Sequence, residues 1–103
     1  MIYRNFGNTE LNISALGFGA GEIGDYAVSE NDSEKILNTV LDLGINLIDT
    51  ARGYHASEER IGKYISYRRK EFILSTKVGY GIEGYADWSY DIILAGVENA
   101  LRL

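Results

Sequence analysis

The chain contains no cysteine, which excludes disulfides and thiolate metal sites and removes any requirement for an oxidising compartment. It also lacks a basic run or stripe. Ten lysines and arginines are outnumbered by fifteen acids, for a formal charge of −5, so neither nucleic acid nor an anionic membrane is expected as the main partner. No apolar run approaches the roughly 20 residues that a membrane-spanning helix needs. The opening MIYRNFGNTE has none of the apolar character of a secretory leader. The expected location is the cytoplasm, and the expected partner is a small molecule or another protein. What is present is an ordinary globular balance, 46% hydrophobic and 24% charged over 103 residues, enough for one domain at most.

Met1 to Gly7 and Leu11 to Phe18 read as two extended segments joined by the polar turn Gly7-Asn8-Thr9-Glu10, a hairpin. The glycine-dense connection GFGAGEIGD follows. From about Asn31 the pattern turns helical: Ile36, Leu37, Val40 and Leu41 share a face, Asn31 with Glu34 resembles a capping box, and Gly44 suits the position just past the helix end. Ile45 to Asp49 reads as a buried strand. Ser57, Glu58 and Glu59 open a second helix with Ile61, Tyr64 and Ile65 on one face, and Arg68, Arg69 and Lys70 fall where the dipole at its end favours cations. FILSTKV, Phe72 to Val78, is apolar on both faces, as central parallel strands are. After GYGIEGYADW, a third helix starts near Ser89 with Ile93, Val97, Ala100 and Leu101 as its apolar positions. The order is a hairpin and then β-α-β-α-β-α.

Alternation of this kind implies parallel β/α units with right-handed crossovers. One solution is a doubly wound sheet. Gly19-Ala20-Gly21-Glu22-Ile23-Gly24 even fits G-x-G-x-x-G after a strand, with an acid ending the next strand. In a dinucleotide fold, however, those glycines lead straight into the helix that holds the pyrophosphate. Here Asp25 to Glu30 intervene, and a leading hairpin has no place. The other solution is part of an eight-fold β/α barrel, which takes roughly 250 residues when complete.

In barrel units, Asp49 and Lys77 lie at the C-terminal ends of neighbouring strands, where barrel active sites are built. Strands sit about 4.8 Å apart, so acid and ammonium can meet and relieve the penalty of burying either alone. Tyr54, on the loop leaving the Asp49 strand, can reach the same place. Carbonyl reduction needs such a set. The alkoxide formed must be protonated, a phenol with a pKa of about 10 is a sluggish donor, and a lysine cation makes the phenolate easier to form. An aspartate holds that lysine in place and charged. The hydride must come from a nicotinamide, since no side chain supplies one. With eight tyrosines to choose from, packing, a lysine covering a strand end or a simple ion pair is the favoured reading of these residue types on spacing alone.

The surrounding words decide. LGFGAGEIG, LDLGINLIDTA, GY-x-x-SEERIGKYI and FILSTKVG, in that order, resemble the N-terminal part of the aldo-keto reductase superfamily. The resemblance runs from YRNFGNTELNISALGFG to VENALRL. It implies the N-terminal part of a TIM (β/α)8 barrel, an N-terminal β-hairpin closing the bottom followed by three β/α units, with residues 1 to 103 forming one partial barrel domain. It implies NADPH or NADH as cofactor and aldehydes or ketones as substrates. Matched residue by residue, Tyr54 is the proton donor, Lys77 the cation that eases its ionisation, and Asp49 the partner of Lys77. These three and the turn residues Gly19 and Ala20 lie against the cofactor. No metal is implied.

Two departures qualify the match. The family's fourth catalytic residue, a histidine, belongs to a strand expected just beyond Leu103. His55 is not that histidine: it follows Tyr54 where the family usually carries glycine and reads as a loop residue. The remaining strands would carry most cofactor contacts, so this chain alone is expected to be inactive. Its open sheet edge is expected to invite self-association. Tyr80, Tyr85, Trp88 and Tyr90 border the substrate pocket or contact a partner. Two other readings stay open: a non-catalytic barrel subunit, like those that regulate potassium channels, and a free-standing half-barrel interaction module.

Overall fold

The computed structural model describes all residues, Met1–Leu103. Strands β1 (Tyr3–Asn5) and β2 (Asn12–Ser14) form the hairpin, paired antiparallel with Tyr3 opposite Ser14. The second extended segment is shorter than expected. Ser14 Oγ donates to the Leu16 carbonyl at 2.6 Å, which bends the chain, and β3 (Phe18–Gly19) then enters a different sheet. That sheet contains β3, β4 (Leu47–Asp49) and β5 (Ile73–Ser75), all parallel, in the order β3-β4-β5. Helices α1 (Glu30–Asp42), α2 (Ser57–Ile65) and α3 (Tyr90–Arg102) follow the three strands in turn. A hairpin and three β/α units are therefore present, as the alternation implied.

Asn46, the residue before β4, fixes the hairpin to the bottom of the sheet. Its side chain accepts from Ser14 N at 2.6 Å and donates to the Asn12 carbonyl at 2.9 Å. Tyr3 Oη adds a bond to the Gly44 carbonyl at 2.7 Å. The strand ends carrying Asp49 point the opposite way.

Helix α1 is capped two residues earlier than the capping-box reading puts it. Ser29 is extended and its hydroxyl accepts from Asp32 N at 3.0 Å, so Asn31 and Glu34 lie inside the helix. Its end is as expected. Gly44 has φ +85°, its N–H meets the Leu41 carbonyl, and Ile45 N–H reaches back to the Val40 carbonyl, a paired closure that an L side chain at φ > 0 would strain. Leu37, Val40 and Leu41 are buried, whereas Ile36 is turned out to solvent.

Helix α2 stops at Ile65, and Ser66–Glu71 tightens into a 3₁₀ segment. The three basic residues are in that segment, not at the α2 terminus. Arg68 pairs there with Glu71 at 2.8 Å and Asp42 at 2.9 Å, because two acids within reach outcompete the helix-end carbonyls. β4, not β5, is the central strand; β5 is paired on one side only and its residues are half-buried or exposed.

The core lies between the sheet and α1 with α2: Ala20, Ile23, Leu37, Leu41, Ile48, Ile61, Ile65 and Phe72, with Phe18, Tyr64 and Leu74 against it. Each large aliphatic side chain fully buried there contributes about 1.5–3 kcal/mol. Helix α3 follows another pattern. Its buried residues are Ile92 and Gly96, while Ile93 and Val97 are each 43% exposed and Leu101 82%. The expected face is thus the open one. Gly96 is the reason: a Cβ there would meet the Val78 side chain at 3.0 Å, so the helix approaches the segment after β5 along its smallest residue. No helix is long and apolar enough to cross a membrane.

Candidate active site

Strand alternation builds the floor of the site. Phe18, Ile48 and Leu74 are in register across β3, β4 and β5 and face the helices, so their successors Gly19, Asp49 and Ser75, also in register, face the other side. Asp49 thus stands mid-row at the C-terminal end of the sheet. Ser75 Oγ donates to Asp49 Oδ1 at 2.9 Å. Lys77, two residues beyond the end of β5, returns to the same side. Its Nζ donates to Asp49 Oδ2 at 3.0 Å and to the Thr50 carbonyl at 2.8 Å.

The same ammonium lies 5.0 Å from the centroid of the Tyr54 ring, within the range of a cation–π contact. The structure therefore brings Asp49, Tyr54 and Lys77 together from two loops and a strand end. Hydrogen bonds from Lys77 and then Ser75 hold the Asp49 carboxyl below the ordinary carboxylate value. The Asp49 carboxylate raises Lys77 above the ordinary lysine value, with Tyr54 acting in the same direction and desolvation opposing. Each partner holds the other in its charged form.

The loop that presents Tyr54 is supported from beneath. Gly24 carries it at such close range that a Cβ would stand 1.9 Å from the Tyr54 carbonyl oxygen, and Ala56 N donates to the Gly24 carbonyl at 3.1 Å. The last glycine of G-x-G-x-x-G therefore makes room for the tyrosine loop, and α1 starts only at Glu30. Next to it, Ser57 Oγ donates to the Ala20 carbonyl at 2.7 Å and lies 2.7 Å from Thr50 Oγ1. Since the serine proton is committed, Thr50 must be the donor of the second bond. Ala20 N in turn bonds the Asp49 carbonyl at 2.8 Å, so the ends of β3, β4 and α2 are locked by one buried chain of hydrogen bonds.

Arg60 is the residue that periodicity missed. It lies on the inner face of α2 with its side chain only 5% exposed. It donates to the carbonyls of Ile23, Asp25 and Val28 at 2.6–2.9 Å, and its Nε donates to Glu30 Oε1 at 3.0 Å. One guanidinium fork thereby fixes the whole connection from β3 to α1. The signal was available, a charge at the i+3 position from Ser57 and beside Ile61 on a buried face.

His55 is exposed, with its ring 5.6 Å from Tyr26 and φ at +49°. The backbone there is left-handed, which accounts physically for glycine being the common residue at this place. Tyr80 is partly buried and its ring lies 5.7 Å from Trp88; Tyr85, Trp88 and Tyr90 are exposed. No group of three or more His, Cys, Asp or Glu could hold a metal ion.

At Gly19, in register with Asp49, a Cβ would meet nothing within 4 Å, so on the β3 side the acid is bordered by open space and not by a side chain.

The Aldo/keto reductase family matches residues 15–102. L-galactose dehydrogenase of Arabidopsis thaliana is 34% identical over 106 residues, covering 96% of this chain and 33% of the plant protein. D-threo-aldose 1-dehydrogenase of a Pseudomonas species is 39% identical over 74 residues, covering 67% of this chain and 22% of that protein. Among solved structures, an aldo-keto reductase of Pseudomonas aeruginosa superposes with a TM-score of 0.86 at 35% identity, over 98% of this chain and 41% of that one. The chain thus spans about a third of the length of the first of these relatives. Agreement in sequence and in backbone along nearly the whole chain places it: the chain belongs to the aldo-keto reductase family and forms a hairpin and three β/α units of that family's TIM (β/α)8 barrel.

Proposed function

We propose that Asp49, Tyr54 and Lys77 are the proton-transfer corner of an NAD(P)H-dependent oxidoreductase that reduces aldehydes or ketones to alcohols or runs the reverse reaction. The carrying observation is the position of the Lys77 ammonium, bonded to Asp49 at 3.0 Å and 5.0 Å from the Tyr54 ring centroid. Gly19, Ala20 and the three polar residues would hold NADPH or NADH, and the bound nicotinamide supplies the hydride.

The chain's own residues manage the proton. Tyr54 donates its hydroxyl proton to the carbonyl oxygen as negative charge develops there. The resulting phenolate stands beside the Lys77 cation, which Asp49 and the Thr50 carbonyl keep in place and charged. Solvent then restores the phenol. In the oxidative direction the phenolate accepts the alcohol proton. Relatives named for L-galactose and for a D-threo-aldose support a sugar as the substrate class. We propose the cytoplasm as the protein's location.

Residues 1–103 alone are proposed to turn over no carbonyl, since they supply three strands of an eight-stranded barrel. The test is carbonyl-dependent NAD(P)H oxidation by the full-length polypeptide carrying these residues, with and without Lys77→Met. We expect kcat to fall about 100-fold or more in a variant that still folds; an unchanged kcat would rule the assignment out.

The unpaired edge of β5 and the exposed side of α3 support a second element of the reading. Left uncovered, they pair with another copy of the chain. Light scattering across a dilution series should show mass rising with concentration, and a monomer at every concentration would count against it.

A further inference from the structure

Three hydrogen bonds outside the polar corner join the loop that carries Tyr54 to the loop that follows Lys77. Arg52 donates through Nε at 3.2 Å and Nη2 at 3.0 Å to the Gly81 carbonyl. Beside it, Gly53 N donates to Tyr80 Oη at 3.0 Å. We propose that this clasp, and the Tyr80 hydroxyl in particular, sets the position of Tyr54 over the Lys77 ammonium. Tyr80 acts here as a positioning residue, not a catalytic one. The inference rests on the functional reading above but adds a residue to it, and it can fail separately.

The geometry explains why position must be set from outside. Tyr54 sits on a turn closed by its own N–H to the Ala51 carbonyl at 3.1 Å and followed by Ser57 N to the Tyr54 carbonyl at 2.9 Å. Those bonds fix the ends of the turn. Its middle, Arg52 and Gly53, is tethered by the bonds to Gly81 and Tyr80.

The receiving loop is itself rigid. Gly81 N donates to Asp87 Oδ1 at 3.1 Å, Trp88 N donates to the Gly79 carbonyl at 2.6 Å, and the Trp88 ring lies against Tyr80. Since that loop begins two residues after Lys77, the clasp closes a ring: Tyr54, Gly53, Tyr80, Lys77 and back to Tyr54. Without its outer link, the lysine keeps its bonds to Asp49 and Thr50, while the turn before Tyr54 loses the bonds that tie it to the loop after Lys77. Misplacement on the order of 1 Å at a reacting group costs about 100-fold in rate, so the effect should fall on turnover.

Tyr80→Phe removes the acceptor and keeps the ring against Trp88. Three quantities are read. Amide exchange at Gly53 should quicken at least tenfold. The Lys77 ε-methylene protons, displaced upfield by the Tyr54 ring current in the parent protein, should move back toward ordinary lysine positions. In the full-length polypeptide kcat should fall roughly 10- to 100-fold, with KM changed less than twofold. Should Tyr80→Phe not fold, Arg52→Lys, which keeps the charge and loses the fork, is read in the same way.

Unchanged Gly53 exchange and unchanged Lys77 signals overturn the proposal. So does a parent kcat in a variant whose Lys77 signals have moved. If the nuclear signals respond but the parent protein reduces no carbonyl, the clasp stands and the oxidoreductase reading falls. If Lys77→Met abolishes turnover while Tyr80→Phe changes nothing, the reverse holds.

Discussion

Helices α1 and α3 look alike in sequence and differ in surroundings. Both run 13 residues, both start at a serine whose hydroxyl accepts a backbone N–H, and both repeat apolar residues at helical spacing. In α1 the repeat is covered: Leu37 is fully buried and Leu41 nearly so. In α3 most of the repeat faces solvent; Ile92 and Gly96 are its buried residues, and Gly96 lies against Val78. Periodicity identifies a helix and its apolar sector, but a neighbour decides which edge of that sector is covered. α1 packs against α2 and the sheet; α3 lies against Val78 through Gly96 and meets α2 only at its end, where Leu103 stands over Gly62.

The contrast is sharpest in the response to truncation. Leu37→Ala should destabilise by about 2–5 kcal/mol, the cost of emptying a fully packed site, whereas Val97→Ala should change stability by less than about 1 kcal/mol. Urea denaturation of the two variants decides it, and equal losses would show that α3 is as well covered as α1.

A second comparison sets a buried polar residue against an exposed one. Arg60→Met takes the guanidinium donor from the carbonyls of Ile23 and Val28, while the Asp25 carbonyl keeps the Val28 N–H. At about 1–3 kcal/mol for each group left unpaired and dry, a loss of roughly 3 kcal/mol is expected, with water recovering part of the gross penalty. Removing the charge at Lys70, an exposed residue for which no ion pair is found, should have almost no effect. Matching melting curves for the two would mean that the loop between β3 and α1 is not held by the guanidinium.

The smallest expected effect is the pH dependence of the Asp49–Lys77 pair, because both side chains are about half exposed and solvent screens them. The Asp49 value is lowered in the folded chain, so its contribution is present above the ordinary carboxylate value and is lost as pH falls through the lowered one, below about pH 4. The Lys77 value is raised, so its contribution is complete below about pH 10.4 and is lost as pH rises through the raised value. Asp49→Asn should flatten the stability profile in both windows and leave its slope near neutral pH unchanged; a profile with its acid and alkaline slopes intact would show that the pair does not couple to folding.

Most of the architecture was legible because it depends on local chemistry. Gly44 ends α1 as its left-handed preference requires, and the strand ending in Asp49 lies where its apolar run stops. The polar corner was legible for a different reason. The parallel order places the ends of neighbouring strands side by side, so Asp49 and Lys77 meet once β4 and β5 pair, and the family's motifs picked Tyr54 from eight tyrosines. What escaped was set by partners distant in sequence. Ser29 rather than Asn31 caps α1, Ile93 and Val97 face outward because Gly96 fits against Val78, and the six residues after Ile65 tighten around Arg68 and its acids. Arg60, Ser75 and Tyr80 belong to the same class. Each fills a role through a bond spanning from 26 to 37 residues, a relation that composition and periodicity do not encode.

The central claim is that Tyr54 gives its proton to the carbonyl oxygen beside the Lys77 cation. Its most direct test is Tyr54→Phe in the full-length polypeptide, assayed by carbonyl-dependent NAD(P)H oxidation with cofactor binding followed separately. The account predicts that the cofactor still binds while kcat drops about 100-fold or more. A Tyr54→Phe variant that turns over at the parent rate would contradict it.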